Sequence, residues 1–204
     1  NIGNAYFSEN TYMNHAAVNP AFSLMYSWNK SENFAEKYNY LDEHKRAACY
    51  APLYPASTED CTRQLLRATR PNILIIILEG FGGEYIEELG GAKNVSPNIS
   101  RLIREGIFFD NVYANSFRTD RGLVSTLSGH ISYPTTSIMK LPAKSRLLPG
   151  IARTLQQAGY QTDFLYGGDI NFTNMRSYFT TTGYQHLTSD TDFSRDDAAK
   201  FLGA

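Results

Sequence analysis

Two side chains in this sequence stand where chemistry is commonly done. Glu79 directly follows the unbroken apolar run Ile73 to Leu78 and precedes the glycine-rich turn Gly80-Phe-Gly-Gly83. Thr119 lies forty positions further on, inside Asn115-Ser-Phe-Arg-Thr-Asp-Arg-Gly122 and after a second apolar-rich stretch. A carboxylate is a hard oxygen ligand for a divalent cation. A threonine hydroxyl alone is a poor nucleophile, but a cation on its oxygen brings the alkoxide within reach of neutral pH. With a helix starting at Thr119, free backbone amides and the helix dipole would favour an anion there. Plainer readings stand beside these. Glu79 can be a solvent-facing acid that closes a strand, and Thr119 an N-cap with Asp120 stabilising the first turn.

The elements that must position these residues alternate in type. Ile73 to Leu78 is rich in β-branched residues and has no polar face, the pattern of a central strand covered on both sides. A short acidic helix is expected over Glu84 to Leu89, and a helix from Ser96-Pro97 through Arg104, with Ile99, Leu102 and Ile103 inward and Gly106 as its stop. A second strand follows over Ile107 to Tyr113, then a helix over Thr119 to Leu127 ending at Ser128-Gly129. A helix near Pro149 to Ala158 stops at Gly159, and a third strand covers Thr162 to Tyr166 before Gly167-Gly168-Asp169. The next helix carries Phe172, Met175 and Phe179 and ends at Gly183-Tyr184. This order predicts an α/β fold, a mostly parallel sheet sandwiched between helices. In such sheets ligands gather at the carboxyl ends of the strands, which puts Glu79 and Thr119 on one rim.

Residues 1–69 have a different texture, with Asn, Tyr, Ala and Glu dominant. Asn19-Pro20 opens a helix carrying Phe22, Met25 and Tyr26, and Ser31 is placed to cap a second with Phe34, Ala35 and Tyr38. The region reads as a helical, aromatic-rich lead-in whose aromatics pack against a neighbouring domain or near a membrane surface. Residues 70–204 form the sheet domain. Asp196-Asp197 reads as the start of a further helix, and a chain opening at Asn1 rather than Met reads as a piece of a longer parent.

Composition narrows the function. The chain has 204 residues, with 19 basic and 20 acidic side chains and a net charge of -1. Nucleic-acid binding would need a clustered basic excess, so no nucleic-acid partner is expected. Hydrophobic residues make up 42% and aromatics 13%, enough to build a core. No run approaches the roughly 20 apolar residues of a membrane span, and no signal peptide is visible. Cys49 and Cys61 are twelve positions apart. A disulfide closing that loop would add about 3 kcal/mol and suit an oxidising compartment. Two free thiols are the equal alternative, and zinc-ligand spacing is absent. The sequons at Asn29, Asn94, Asn98 and Asn171 read as chance.

Three motifs together resemble a family. Pro-Asn-Ile-x5-Glu at 71–79, Ser-Pro-Asn-Ile-Ser-Arg-Leu at 96–102 and Phe-Arg-Thr-Asp-Arg-Gly at 117–122 are similar, in order and spacing, to the sulfatase-like part of the alkaline phosphatase superfamily. Within it the nearest pattern is that of the phosphoglycerol transferases, the lipoteichoic acid synthases among them. The resemblance spans about residues 70 to 190. It implies that Glu79 is a metal ligand and that Thr119 is both nucleophile and metal ligand. The metal is typically manganese, with magnesium or zinc in relatives. It implies attack on a lipid phosphodiester headgroup, release of diacylglycerol and transfer of phosphoglycerol to an acceptor. It also implies an extracytoplasmic enzyme, periplasmic or at the cell surface, anchored by membrane segments outside this chain. Arg121, Asn174 and Arg176 fall where substrate contacts are made, although Thr173 stands near the position of an expected tryptophan.

A formylglycine sulfatase would need Cys or Ser, then Pro two positions on and Arg four on, where this sequence has Thr119, Arg121 and Leu123. The implied alternatives are a phosphodiesterase or sulfatase-type hydrolase of the same superfamily, or a non-catalytic envelope-binding domain. The family completes its metal site downstream with an Asp-His pair and another His. His15, His44, His130 and His186 follow no aspartate, and His130 reads as structural. The chain is therefore expected to be the N-terminal portion of a catalytic domain, binding metal weakly and catalysing little on its own.

Overall fold

The computed structural model of the chain describes residue 16 and residues 19–29, 33–53, 59–60, 62, 64–194 and 196–197. It divides into two units, Asn1–Ile73 and Leu74–Ala204. Among the described residues, no helix is long and apolar enough to cross a membrane.

The first unit is helical. Helix α1, Pro20–Asn29, begins at the proline whose fixed φ suits a first helical position. Its Met25 is exposed, and the side chains of Phe22 and Tyr26 lie outside the described residues. Helix α2, Phe34–Lys37, is capped by Asn33, whose side-chain oxygen accepts from the Ala35 N–H at 3.2 Å. The cap expected at Ser31 lies outside the described residues, and Tyr38 falls just past the helix end, 5.9 Å from the Phe34 ring. Helix α3, Glu43–Tyr50, which the sequence reading passed over, is capped by Asp42 accepting from the Lys45 N–H at 2.9 Å. Cys49 is an exposed free thiol on α3, and Cys61 lies outside the described residues.

The second unit holds the core. In chain order it carries α4 (Pro97–Glu105), α5 (Thr119–Ser128), α6 (Pro142–Ser145), α7 (Ile151–Gln157), β1 (Asp163–Leu165), α8 (Met175–Thr182) and β2 (His186–Thr188). The stretch expected as an acidic helix is two single 3-10 turns, Gly83–Tyr85 and Glu87–Leu89. Helix α4 starts at its proline as expected, but Leu102 is 56% exposed. Its buried residue is Ser100, which donates to Glu88 at 2.9 Å.

The core lies on the inner faces of α5 and α8, where Leu123, Val124, Leu127, Met175, Tyr178 and Phe179 are buried with Ile138, Met139, Leu148, Ala152 and Ile170. The buried Tyr178 hydroxyl meets Ser128 Oγ at 2.6 Å, which joins α8 to the end of α5. Phe164 of β1 stacks on Phe179 with ring centroids 3.7 Å apart, and Tyr184 meets Phe179 edge-on. Helix α7 packs against α8 through glycine. A Cβ on Gly150 would lie 2.6 Å from the Thr182 carbonyl, and one on Gly183 would lie 2.6 Å from Arg153 backbone.

The sheet is smaller than the sequence suggests. Among the described residues it has two strands, β1 and β2, paired in parallel with Asp163 opposite His186 and Leu165 opposite Thr188. The third expected strand is β1. The first two, Ile73 to Leu78 and Ile107 to Tyr113, are not strands. Leu74 and Ile76 are 83% and 71% exposed, and Phe109 and Tyr113 are exposed as well. A run of β-branched residues records a preference for burial on a pleated surface. It does not supply the ladder partner that makes a strand, and these runs have none among the described residues.

Candidate active site

Thr119 is the first residue of α5, with Arg118 in extended conformation at the cap position and no side-chain cap bond. Gly122 N–H and Arg121 N–H close the first turn on the Arg118 carbonyl. The threonine hydroxyl is therefore not spent on its own helix. It donates instead to the Glu79 Oε1 carboxylate, forty residues earlier. The structure thus brings together the acid after the apolar run and the hydroxyl at the helix start. Thr119 is half-buried and Glu79 exposed, so the pair opens to solvent on one side.

Asp120 follows directly and is only 4% exposed. A buried carboxylate needs a partner, and Lys140 Nζ stands 3.5 Å from its Oδ2. The sequence reading missed this pair. Lys140 closes a single 3-10 turn, Ile138–Lys140, whose Met139 meets the Thr173–Asn174 corner: Asn174 Nδ2 is 3.5 Å from the Met139 carbonyl. Thr173 and Asn174 both have left-handed φ, 51° and 72°, a costly conformation for residues with a Cβ that tends to persist at functional corners. Arg176 Nε donates to Asn171 Oδ1 at 3.1 Å. Asn174 thus meets the turn that carries Lys140 and Arg176 bonds to Asn171, and neither bond reaches the Glu79–Thr119 pair.

Arg121 sits two residues along α5 from Thr119, which carries it around the helix. Its Nη1 donates to the Pro134 carbonyl at 3.0 Å, and its Nε is buried without a partner. It lines a small void with Val124, His130, Ser132 and Tyr133. Burial there pushes the His130 imidazole pKa down, and its ring meets Tyr133 edge-on at 5.3 Å. His130 thus packs beside α5 among aromatic and aliphatic neighbours.

Tyr166 is the other residue sequence reasoning passed over. It follows β1, its N–H donates to Thr188 O at 2.9 Å, and its phenol pKa is raised by partial burial and then by the charges of Glu79, Asp169 and Asp190. The signal that singled out Glu79, a polar residue between a strand and a glycine pair, was present at Tyr166-Gly167-Gly168 too. Among the described residues, no group of three or more His, Cys, Asp or Glu side chains stands together. Glu79 and Thr119 fit a hard divalent cation as two of its oxygen ligands, a partial set.

The fold around this carboxylate–hydroxyl pair is that of the alkaline phosphatase superfamily. The crystal structure of a superfamily member from Vibrio parahaemolyticus gives the same fold, with TM-score 0.52 and 31% identity over 56% of this chain and 28% of that one. Within that superfamily the chain belongs to the sulfatase family, whose model matches residues 71–201. It is 30% identical over 115 residues to an N-acetylglucosamine-6-O-sulfatase of Bacteroides thetaiotaomicron, covering 54% of this chain and 20% of the relative. It is 28% identical over 138 residues to a ulvan-active sulfatase of Formosa agariphila, covering 60% and 23%. The chain thus spans about a fifth to a quarter of the length of these relatives.

A lipoteichoic acid synthase from Listeria monocytogenes is a more distant likeness, with TM-score 0.37 and 17% identity over 40% of this chain and 20% of that one. Both curated relatives are sulfatases, so the named similarity by sequence lies on the sulfatase side of the superfamily and not with the phosphoglycerol transferases expected from the motifs.

Proposed function

We propose that this chain is the N-terminal portion of a sulfatase-family hydrolase that cleaves a phosphate diester through a threonine nucleophile. The observation that carries the reading is the contact between Thr119 Oγ1 and Glu79 Oε1. The named relatives support a hydrolase of anionic esters. The threonine argues for phosphorus rather than sulfur, because it cannot supply the formylglycine that sulfate ester cleavage in this family requires.

Glu79 and Thr119 would hold the divalent metal typical of the family, manganese by preference and magnesium or zinc otherwise. That ion would supply the positive charge that brings loss of the hydroxyl proton within reach of neutral pH. The protein's own part is positional. Glu79 accepts the Thr119 hydroxyl hydrogen bond and aims the oxygen outward, and the first turn of α5 sets its place. Thr119 Oγ1 forms a bond to phosphorus as the bond to the leaving alcohol breaks, and that alcohol takes a proton. Water then attacks the phosphorus of this threonyl phosphate diester as its bond to Thr119 Oγ1 breaks, releasing a phosphate monoester and restoring the hydroxyl.

If an acceptor alcohol replaces water, the same residues perform headgroup transfer. A lipid phosphodiester donor in an extracytoplasmic, membrane-anchored parent is the alternative, in which Arg121, Asn174 and Arg176 would have to leave Pro134, Met139 and Asn171 to contact the headgroup.

The test is Thr119→Ala in the full-length protein, assayed with bis(para-nitrophenyl) phosphate and manganese. Turnover should fall at least a thousandfold with the fold intact, and mass spectrometry of the wild type should find a phosphoryl adduct on Thr119. Retained turnover would remove Thr119 from the chemistry.

A further inference from the structure

We propose that Asn115 is a positioning residue for the Thr119 nucleophile, an inference that rests on the reading above. The segment before α5 is exposed: Tyr113 is 85% and Phe117 89% accessible, so apolar packing does not fix it. What holds it is one side-chain oxygen. Asn115 Oδ1 accepts from the Ser132 N–H at 2.6 Å and lies 3.1 Å from Ser125 Oγ. Ser125 belongs to α5, and its Oγ is also 3.0 Å from the Arg121 carbonyl, the His130 carbonyl and Ser132 Oγ.

A hydroxyl has one proton, so with Ser132 Oγ donating to it Ser125 can donate to only one of Asn115 Oδ1, the Arg121 carbonyl and the His130 carbonyl at a time. The backbone N–H of Ser132 donates without that competition, and Asn115 Oδ1 is its acceptor. Asn115 therefore ties the approach to Thr119 to the loop after α5 through Ser132, and shares the Ser125 proton of α5 with two carbonyls. Thr119 lies four positions beyond this anchor, and the first turn of α5 closes on the carbonyl of Arg118 just before it. Releasing the anchor frees the Arg118 carbonyl that α5 uses for its first turn, and with it the height of Thr119 Oγ1 above Glu79. A displacement of about 1 Å at a reacting atom can cost on the order of a hundredfold in rate.

The experiment compares Asn115→Ala, Asn115→Asp, Ser125→Ala and Thr119→Ala in the full-length protein, with bis(para-nitrophenyl) phosphate and manganese. Both bonds use Asn115 only as an acceptor, so aspartate retains them and alanine removes them. Asn115→Ala should lower kcat about a hundredfold with KM within twofold, and Asn115→Asp should restore kcat to within a few-fold. Ser125→Ala, a helix-favouring change that tests the same anchor where Asn115→Ala fails to fold, should lower kcat about tenfold. A wild-type kcat in Asn115→Ala beside an inactive Thr119→Ala overturns the role of Asn115 and leaves the nucleophile standing. The same follows from a change confined to KM, or from an Asn115→Asp as slow as Asn115→Ala. An active Thr119→Ala overturns the reading on which both rest.

Discussion

Tyr178 offers a stability test that reads the core of the second unit through one proton. Its side chain is fully buried and its hydroxyl meets Ser128 Oγ at 2.6 Å. Desolvation outweighs the hydrogen bond from Ser128, and the phenol pKa is pushed from 10.0 up to about 12. The folded state therefore keeps this proton to higher pH than the unfolded chain does. The stability associated with it is complete below pH 10 and is lost as pH climbs toward 12. A hundredfold difference in proton affinity is worth about 3 kcal/mol, of which about half has gone by pH 11. Tyr178→Phe cannot titrate, while Tyr184, also pushed up by burial, titrates in both proteins and largely cancels. Urea unfolding followed by circular dichroism at steps from pH 8 to pH 11 should show wild type ahead of Tyr178→Phe by about 1 to 2 kcal/mol at pH 8, from the lost buried hydrogen bond. That lead should shrink by about 1 kcal/mol at pH 11. A lead that stays constant across the range would mean the phenol ionises as freely in the folded state as in the unfolded one, and the burial argument would fail.

Gly183→Ala should destabilise the protein by about 3 kcal/mol, because φ is +107° and the new Cβ would lie 2.6 Å from Arg153 backbone. Gly122→Ala, whose Cβ meets nothing within 4 Å inside α5, should instead stabilise by about 0.5 to 1 kcal/mol. Thermal melts decide both, and a Gly183→Ala cost under about 1 kcal/mol refutes the close approach of α7 and α8. Glu79→Gln should leave folding within about 1 kcal/mol, since its bond to Thr119 is exposed. It should weaken manganese binding at least tenfold by calorimetric titration, as one anionic ligand is lost. Unchanged affinity would count against Glu79 as a ligand.

Helices α4, α5, α7 and α8 were legible because their signals are local, whereas the short α6 and the 3-10 turns at 83–89 carried no such signal. Pro97 and the glycines at 106, 129 and 183 mark starts and stops through backbone chemistry that needs no distant partner, as Pro20 does in the first unit. The two apolar runs at 73–78 and 107–113 were read as strands on the same kind of local evidence, yet a strand depends on which chain lies alongside. That pairing is non-local, and the described residues supply it only for β1 and β2. The acid and hydroxyl were visible by type and by position after apolar runs. Their contact, and the Lys140–Asp120 and Asn115–Ser132 links around them, depend on chain crossings that no spacing rule encodes. Asn33 rather than Ser31 caps α2 for a simpler reason: several polar residues precede the helix, and the backbone dihedrals choose among them.

The bare apolar run after Pro71 bears on how this polypeptide behaves in a tube. Six successive uncharged, branched residues, with main-chain groups that join no ladder among the described residues, are a ready template for a second molecule to add edge to edge. Handled as an isolated 204-residue species, it should clump as concentration rises, and a lysine placed at Ile76 should keep it dispersed without disturbing the Tyr178 core.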